Sequence, residues 1–272
     1  MGVGYAAGRA DLAMSAWELL GLVLAVDAVL MLLLWLVHLP LRNAGIVDVG
    51  WVYAVALSAL IFTLLGPGDP GRSLAAACMA GVWGLRLGTY LLFRVFSHPE
   101  DARYAALRQE WGGNVALRFL GFFELQAVLA VVFALPAFFA ALNPSPMLGW
   151  PEYLGMGLWV IAVAGEALAD KQLKDFKANP ANRGHICSVG LWNYSRHPNY
   201  FFEFLVWLAF AVFALGSPYG YIACVCPALM LFFLFKVTGI PATEAQALRS
   251  KGDAYREYQR STSAFVPWFK RG

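Results

Sequence analysis

Seven stretches of this chain run apolar for roughly the 20 residues a helix needs to cross a hydrocarbon layer, and no other feature narrows its fold so sharply. They extend from Trp17 to Leu39, Gly45 to Leu65, Ser73 to Phe96, Phe119 to Leu142, Tyr153 to Leu173, Tyr200 to Leu215 and Tyr219 to Val237. The fifth ends in charge and the sixth is short. Within lipid every backbone N–H and C=O has to be satisfied inside the protein, which leaves helices or a closed barrel. Barrel strands alternate in segments of about ten residues, a pattern this chain lacks. The expectation is an all-α, polytopic membrane bundle of about seven transmembrane helices. Composition agrees, with 60% hydrophobic and only 14% charged residues.

Basic residues orient such a bundle, because Lys and Arg accumulate in cytoplasmic loops. Arg103, Arg108, Lys174, Lys177, Arg183, Arg249, Lys251, Arg256, Arg260, Lys270 and Arg271 fall on one side of an odd number of spans, against Arg9 and Arg72 on the other. The N-terminus is therefore expected outside and the C-terminus in the cytoplasm. Trp150, Tyr153 and Trp268 suit interfacial anchors. Met1 to Ser15 carries little positive charge, so the start reads as the approach to a retained first span and not as a cleavable signal.

The net charge of +3 is explained by those loops, and nucleic acid need not be invoked. Cys78, Cys187, Cys224 and Cys226 lie in or beside apolar segments without metal-type spacing, which suggests core cysteines, no metal site and no disulfide framework. No repeat or low-complexity linker divides the chain, so residues 1–272 are expected to form one domain. Oligomeric state is open, since no GxxxG element stands out.

Polar residues concentrate in the second half. Glu166, Asp170, Lys174 and Lys177 recur at helical spacing and form one stripe at the cytoplasmic end of the fifth span. Such a stripe is either a solvated helix end with ion pairs or one wall of a site. Glu166 weighs toward a site, because a carboxylate that deep requires a partner. After breaks at Pro180, Gly184 and Gly190 comes GLWNYSRHPNYFFEF, in which Asn199 and Glu203 share a face of the sixth helix. Arg183 and Arg196 are planar donors suited to phosphate, and Lys174 and Lys177 add point charge. His197 with Pro198 reads as shaping the turn into the helix. Together these residues describe a pocket for a bulky, partly anionic ligand.

The segment from Gly190 to Glu203 resembles the cofactor signature of the steroid 5-alpha-reductase-like membrane family, in its large bacterial branch. The C-terminal stretch KVTGIPATEAQALRSKGDAYREYQRSTSAFVPWF resembles that branch too, as do the shorter pieces NAGIVDVGW and WGLRLGTYLLFR. Sterol reductases and methyltransferases of prenylated cysteine and phospholipids are more distant kin, and the methyltransferases share an RHPxY-like element, here Arg196, His197 and Tyr200, with a downstream Glu. The resemblance implies an NADPH site in a cofactor-binding half, 143–272, and a substrate cavity in 1–142, within a protein of the bacterial inner membrane. It assigns Asn199, Glu203, Asp170 and Tyr194 to the cofactor, with Arg86 on the third span reaching it. Glu166 stands where the vertebrate steroid enzymes have Asn. Glu244 either helps to bind the cofactor or merely complements a helix N-terminus. Tyr255, with Arg256 and Tyr258, either covers the adenine end or belongs to an amphipathic helix lying on the membrane.

Hydride addition to the β-carbon of an enone requires an acid near the carbonyl oxygen. The resembling reductases use a carboxylate and a tyrosine on the second and third spans, which points here to Asp48 with Tyr53 or Tyr90. Asp48 in apolar surroundings is expected to remain protonated and so to act as donor. The Gln-Glu dipeptide of the vertebrate enzymes is absent there, and a helix cap or plain packing would account for the same residues. Glu124 and Gln126 on the fourth span are further polar candidates. The leading expectation is an NADPH-dependent reductase of a lipophilic enone, such as a 3-oxo-4-ene steroid, entering from the bilayer. An S-adenosylmethionine-dependent membrane methyltransferase and a non-enzymatic carrier are the alternatives; S-adenosylmethionine has no phosphate and would gain little from the basic stripe, while a carrier would be expected to show matched broken helices in both halves.

Overall fold

The computed structural model describes residues 14–237 and 239–270, so Arg9, Arg271 and the leading residues through Ala13 lie outside the described residues. The described residues are about 80% helical, with no strand among them. Six helical stretches are long and apolar enough to cross a membrane: Ala16–Leu41, Ile46–Leu65, Pro70–Ser97, Ala102–Phe133, Trp150–Ala178 and Gly220–Lys251. A shorter apolar helix, Pro198–Ala214, supplies the expected sixth run.

The chain divides into two compact units, Met1–Tyr153 with Phe213–Ala223, and Leu154–Val212 with Cys224–Gly272. In the first unit, α1 (Ala16–Leu41) starts from a reciprocal cap in which Glu18 N–H donates to Ser15 Oγ and Ser15 N–H to Glu18 Oε2. It runs antiparallel to α2 (Ile46–Leu65), and the two approach closely at Gly50, where a Cβ would overlap Leu34. Asp69 caps α3 (Pro70–Ser97), accepting from Arg72 N–H at 2.9 Å, and Pro70 occupies its first turn. Gly84 and Gly88 let α3 lie against Ala56 and the Tyr53 ring of α2.

A short helix α4 (Ala102–Trp111) leads into α5 (Val115–Phe133). The fourth apolar run, expected to be continuous from Phe119 to Leu142, breaks at Ala134, and α6 (Leu135–Leu142) follows with Pro136 in its first turn. Proline has no N–H to continue the ladder, which is the physical reason for the break. Large apolar side chains such as Leu33, Leu85, Phe93 and Ile161 are exposed, as lipid-facing positions should be.

The helix α7 (Trp150–Ala178) is the longest of those described. In the second unit α8 (Pro198–Ala214) opens with Pro198 at its first position. Then α9 (Val225–Phe232) runs into a π-helical turn at Phe233–Val237. Gly239, whose Cβ would come within 2.5 Å of Leu234 O, lets the chain pass into α10 (Ile240–Lys251). Finally, α11 (Asp253–Ser261) buries Tyr255 and Tyr258 inside its unit. The face that a membrane-surface helix would give to lipid is thus covered by protein.

Candidate functional site

The turn before α8 is built first, because it fixes everything after it. Gly190 has φ +55, and a Cβ there would overlap the Gln172 side chain, whose Oε1 accepts from Leu191 N–H at 2.9 Å. Trp192 Nε1 donates to Ala169 O at 2.9 Å, so the turn is stitched to α7 at two points. Ser195 Oγ then donates to Phe265 O at 2.8 Å and receives His197 N–H at 3.1 Å. Tyr258 closes the cluster by donating to Trp192 O. Burial, with Cys187 next in weight, raises the Tyr258 phenol well above its ordinary range.

From this frame Asn199 Nδ2 donates to Asp170 Oδ1 at 3.2 Å, which joins α8 to the stripe on α7. Glu203, one turn on, accepts from Trp207 Nε1 at 2.8 Å. Glu166 is buried, with 4% of its surface accessible. Tyr200 stacks on His197 at 5.3 Å and its hydroxyl lies 3.2 Å from Thr243 Oγ1. Lys174, Lys177, Arg183 and Tyr194 are exposed.

Arg196 is committed to protein groups. Its Nε donates to Glu244 Oε1 at 2.7 Å, and its Nη1 to the carbonyls of Gln259 at 2.9 Å and Thr262 at 2.6 Å. Glu244 also meets His197 Nε2 at 3.2 Å and accepts from Gln259 Nε2 at 2.8 Å. This carboxylate therefore ties the RHP turn to the C-terminal segment. Tyr255 is buried at the same place; burial and the Glu244 charge push its phenol up to about 12.

In the first unit, Asp48 Oδ1 accepts from Tyr104 OH at 2.6 Å and its Oδ2 lies 3.5 Å from Arg103 Nη2. The tyrosine partner of Asp48 is thus Tyr104 of α4, not Tyr53 or Tyr90. Tyr53 rests on Gly88 with its hydroxyl 3.4 Å from Thr89 Oγ1, and Tyr90 is exposed. A cavity of about 20 Å³, enough for one water, lies beside Asp48 among Asn43, Arg94 and Asp101. Asp101 pairs with Arg94 at 2.6 Å and Arg103 at 3.0 Å, while Glu100 pairs with Arg108 at 2.8 Å and accepts from Ala44 N–H. Burial alone would raise both carboxyls, but these hydrogen bonds and charges hold them below their ordinary values.

Comparison with known proteins identifies the chain at family level. Residues 34–262 match the model of DUF1295, described as a protein of unknown function. The chain belongs to this family. DUF1295 includes steroid 5-alpha-reductase-like membrane proteins. The chain is also similar to the uncharacterized protein C594.04c of Schizosaccharomyces pombe, 25% identical over 269 residues, covering 86% of this chain and 75% of that protein. No solved structure matches.

Within this DUF1295 chain, the structure brings together Asp170 with Asn199, and Arg196 with His197, Glu244 and the Tyr255 helix. Arg86 and Asp48 belong to the other unit. Sequence reasoning missed Tyr104 and Gln259, the partners of Asp48 and Glu244. The amphipathic spacing of Tyr255 and Tyr258 left two expectations open, a cover on the adenine end or a membrane-surface helix, and in the structure both rings are buried in protein.

Proposed function

We propose that this protein is an NADPH-dependent reductase of the C=C bond of a lipophilic conjugated enone, of the 3-oxo-4-ene steroid type, drawn from the bilayer. The observation that carries this reading is the Asp170–Asn199 hydrogen bond, which sets a polar face of α7 and α8 next to exposed cations at the C-terminal end of α7. The donor set fits the cofactor: Lys174, Lys177 and Arg183 suit its phosphates, and the carboxylates of Asp170 and Glu203 suit ribose hydroxyls. NADPH, when bound, supplies the hydride to the β-carbon. The chain's part is to hold that cofactor, keep water away, and deliver one proton to the product for each hydride taken up. Asp48, which accepts from the Tyr104 hydroxyl, is the polarising group of this proposal. The N-terminus outside and C-terminus inside, in a bacterial inner membrane, place the cation-rich loops where NADPH is found.

A second reading follows from Arg196. Its commitment to Glu244 removes one of four cations from any phosphate, which favours an S-adenosylmethionine-dependent methyltransferase as the alternative. Turnover separates the two. Purified protein in lipid nanodiscs is given androst-4-ene-3,17-dione with NADPH, and oxidation of NADPH is followed by absorbance and the reduced steroid by mass spectrometry. Turnover that is lost in Asn199→Ala and Glu203→Ala supports the reductase; a folded protein that leaves the enone intact refutes it.

A further inference from the structure

Asp27 lies near the middle of α1, and it is completely buried. Its neighbours on the same stripe of that helix, Leu19, Val23 and Met31, are apolar and buried as well. Ser58, near the middle of α2, donates to Asp27 Oδ2 at 2.9 Å. Among the described residues Oδ1 has no hydrogen-bond partner, and no cation pairs with this carboxyl. The pair is located by the antiparallel register of the two helices, in which Met14 N–H reaches Leu65 O at one end and Gly50 meets Leu34 toward the other. Asp27 and Ser58 therefore sit at mid-bilayer depth, the most expensive place for a polar group.

An ionisable side chain there costs about 3 kcal/mol on insertion scales, and a buried polar atom left without a partner costs about 1–3 kcal/mol more. Hydrogen bonding between α1 and α2 alone would be met by a serine or threonine in place of Asp27, without the orphan oxygen. What remains is a group held ready for a ligand. Metal ions are a poor match, since Ser58 Oγ is the one other oxygen bonded to the carboxyl among the described residues and no metal-holding cluster is found there. At this depth the available ligands are neutral molecules dissolved in hydrocarbon. Ser58 already donates to Oδ2, so a carboxyl that keeps its proton carries it on Oδ1, where no acceptor lies among the described residues.

We propose that Asp27, positioned by Ser58, is a mid-membrane site that hydrogen-bonds the carbonyl oxygen of a neutral lipophile. It rests on the reductase reading only in treating that lipophile as substrate. Asp48 lies ten residues before Ser58 on α2, about 15 Å along a helix. Asp27 and Asp48 thus cannot share one oxygen.

The test needs no NADPH. Full-length protein in nanodiscs is treated with dicyclohexylcarbodiimide, which adds to protonated carboxyls within lipid, and modification of the Asp27 peptide is followed by mass spectrometry. Androst-4-ene-3,17-dione should slow modification about tenfold, the worth of one good hydrogen bond, whereas oxygen-free 5α-androstane should not. Ser58→Ala should keep the modification and lose most of the protection. Asp27→Asn, which preserves shape, should weaken binding of the dione measured by native mass spectrometry. Equal protection by dione and hydrocarbon, or no modification of Asp27 in folded protein, overturns the proposal and leaves Asp27 an interhelical hydrogen bond. Protection without any NADPH oxidation would refute the reductase and leave this site standing.

Discussion

Arg72 Nε lies 2.8 Å from Glu152 Oε1, and both side chains are sealed from solvent, at 2% and 1% accessibility. The remaining donors of Arg72 reach Ser145 O at 2.5 Å and Met147 O at 2.6 Å, while Glu152 Oε2 receives Gly149 N–H at 2.9 Å. Nearby, Asn143 Nδ2 donates to Gly216 O, and a Cβ at Gly216 would overlap the Glu152 carboxylate. A fully satisfied buried pair adds little over an apolar one, but breaking it strands a charge. Glu152→Ala and Arg72→Ala should each destabilise the first unit by about 3–5 kcal/mol. Unfolding in mild detergent monitored by denaturant titration checks this; a change below about 1 kcal/mol would mean that the pair is hydrated.

The Arg196–Glu244 staple makes a different prediction, because it joins a turn to a tail. Glu244→Gln keeps shape but removes the charge facing Arg196 and His197. Residues 253–270 should then become sensitive to limited proteolysis while the first unit stays resistant. A tail equally protected in the variant would show that the carbonyl bonds of Gln259 and Thr262 hold Arg196 by themselves.

Acid stability should depend on Glu100 and Asp101. Both carboxyls sit below their ordinary values of 4.5 and 3.8, so the stability they contribute is present above those values and is lost as pH falls through the lowered ones. Glu100→Gln should lower stability at neutral pH and flatten the fall on the acid side of pH 4.5. At the other extreme, Tyr255 stabilises fully below pH 10.0, and that contribution disappears as pH rises toward about 12. Tyr255→Phe should remove this alkaline loss, read as thermal midpoint against pH.

Gly190→Ala probes the entry to the candidate site. Its φ of +55 and the overlap with Gln172 both oppose a side chain, so about 1–2 kcal/mol should be lost. The loss should be local, visible as faster amide exchange at Leu191 and Trp192. Unchanged exchange there would show that Gln172 simply swings aside.

Apolar run length made the helices legible in sequence, since a stretch near 20 residues has few other uses. The break at Ala134 was hidden because Pro136 sits in a run whose hydrophobicity never falters. The stripe on α7 was legible by its spacing, and Asp170 does meet Asn199. Periodicity could not show that Arg196 is taken by Glu244, which is 48 residues away. Nor could it pair Asp48 with Tyr104, whose helix carries no apolar period and is held by ion pairs. Long-range polar contacts are set by tertiary packing, to which local pattern is blind. Asp27 did have a signal, a carboxyl midway along the first apolar run, far from either end.

On the proposed reading, the polar face of α7 and α8 holds a phosphate-bearing dinucleotide. Calorimetric titration of the purified protein with NADPH and with S-adenosylmethionine tests it most directly. NADPH should bind, Asn199→Ala should weaken it about tenfold, and S-adenosylmethionine should not compete. Binding of S-adenosylmethionine alone, or NADPH binding indifferent to Asn199, would contradict it.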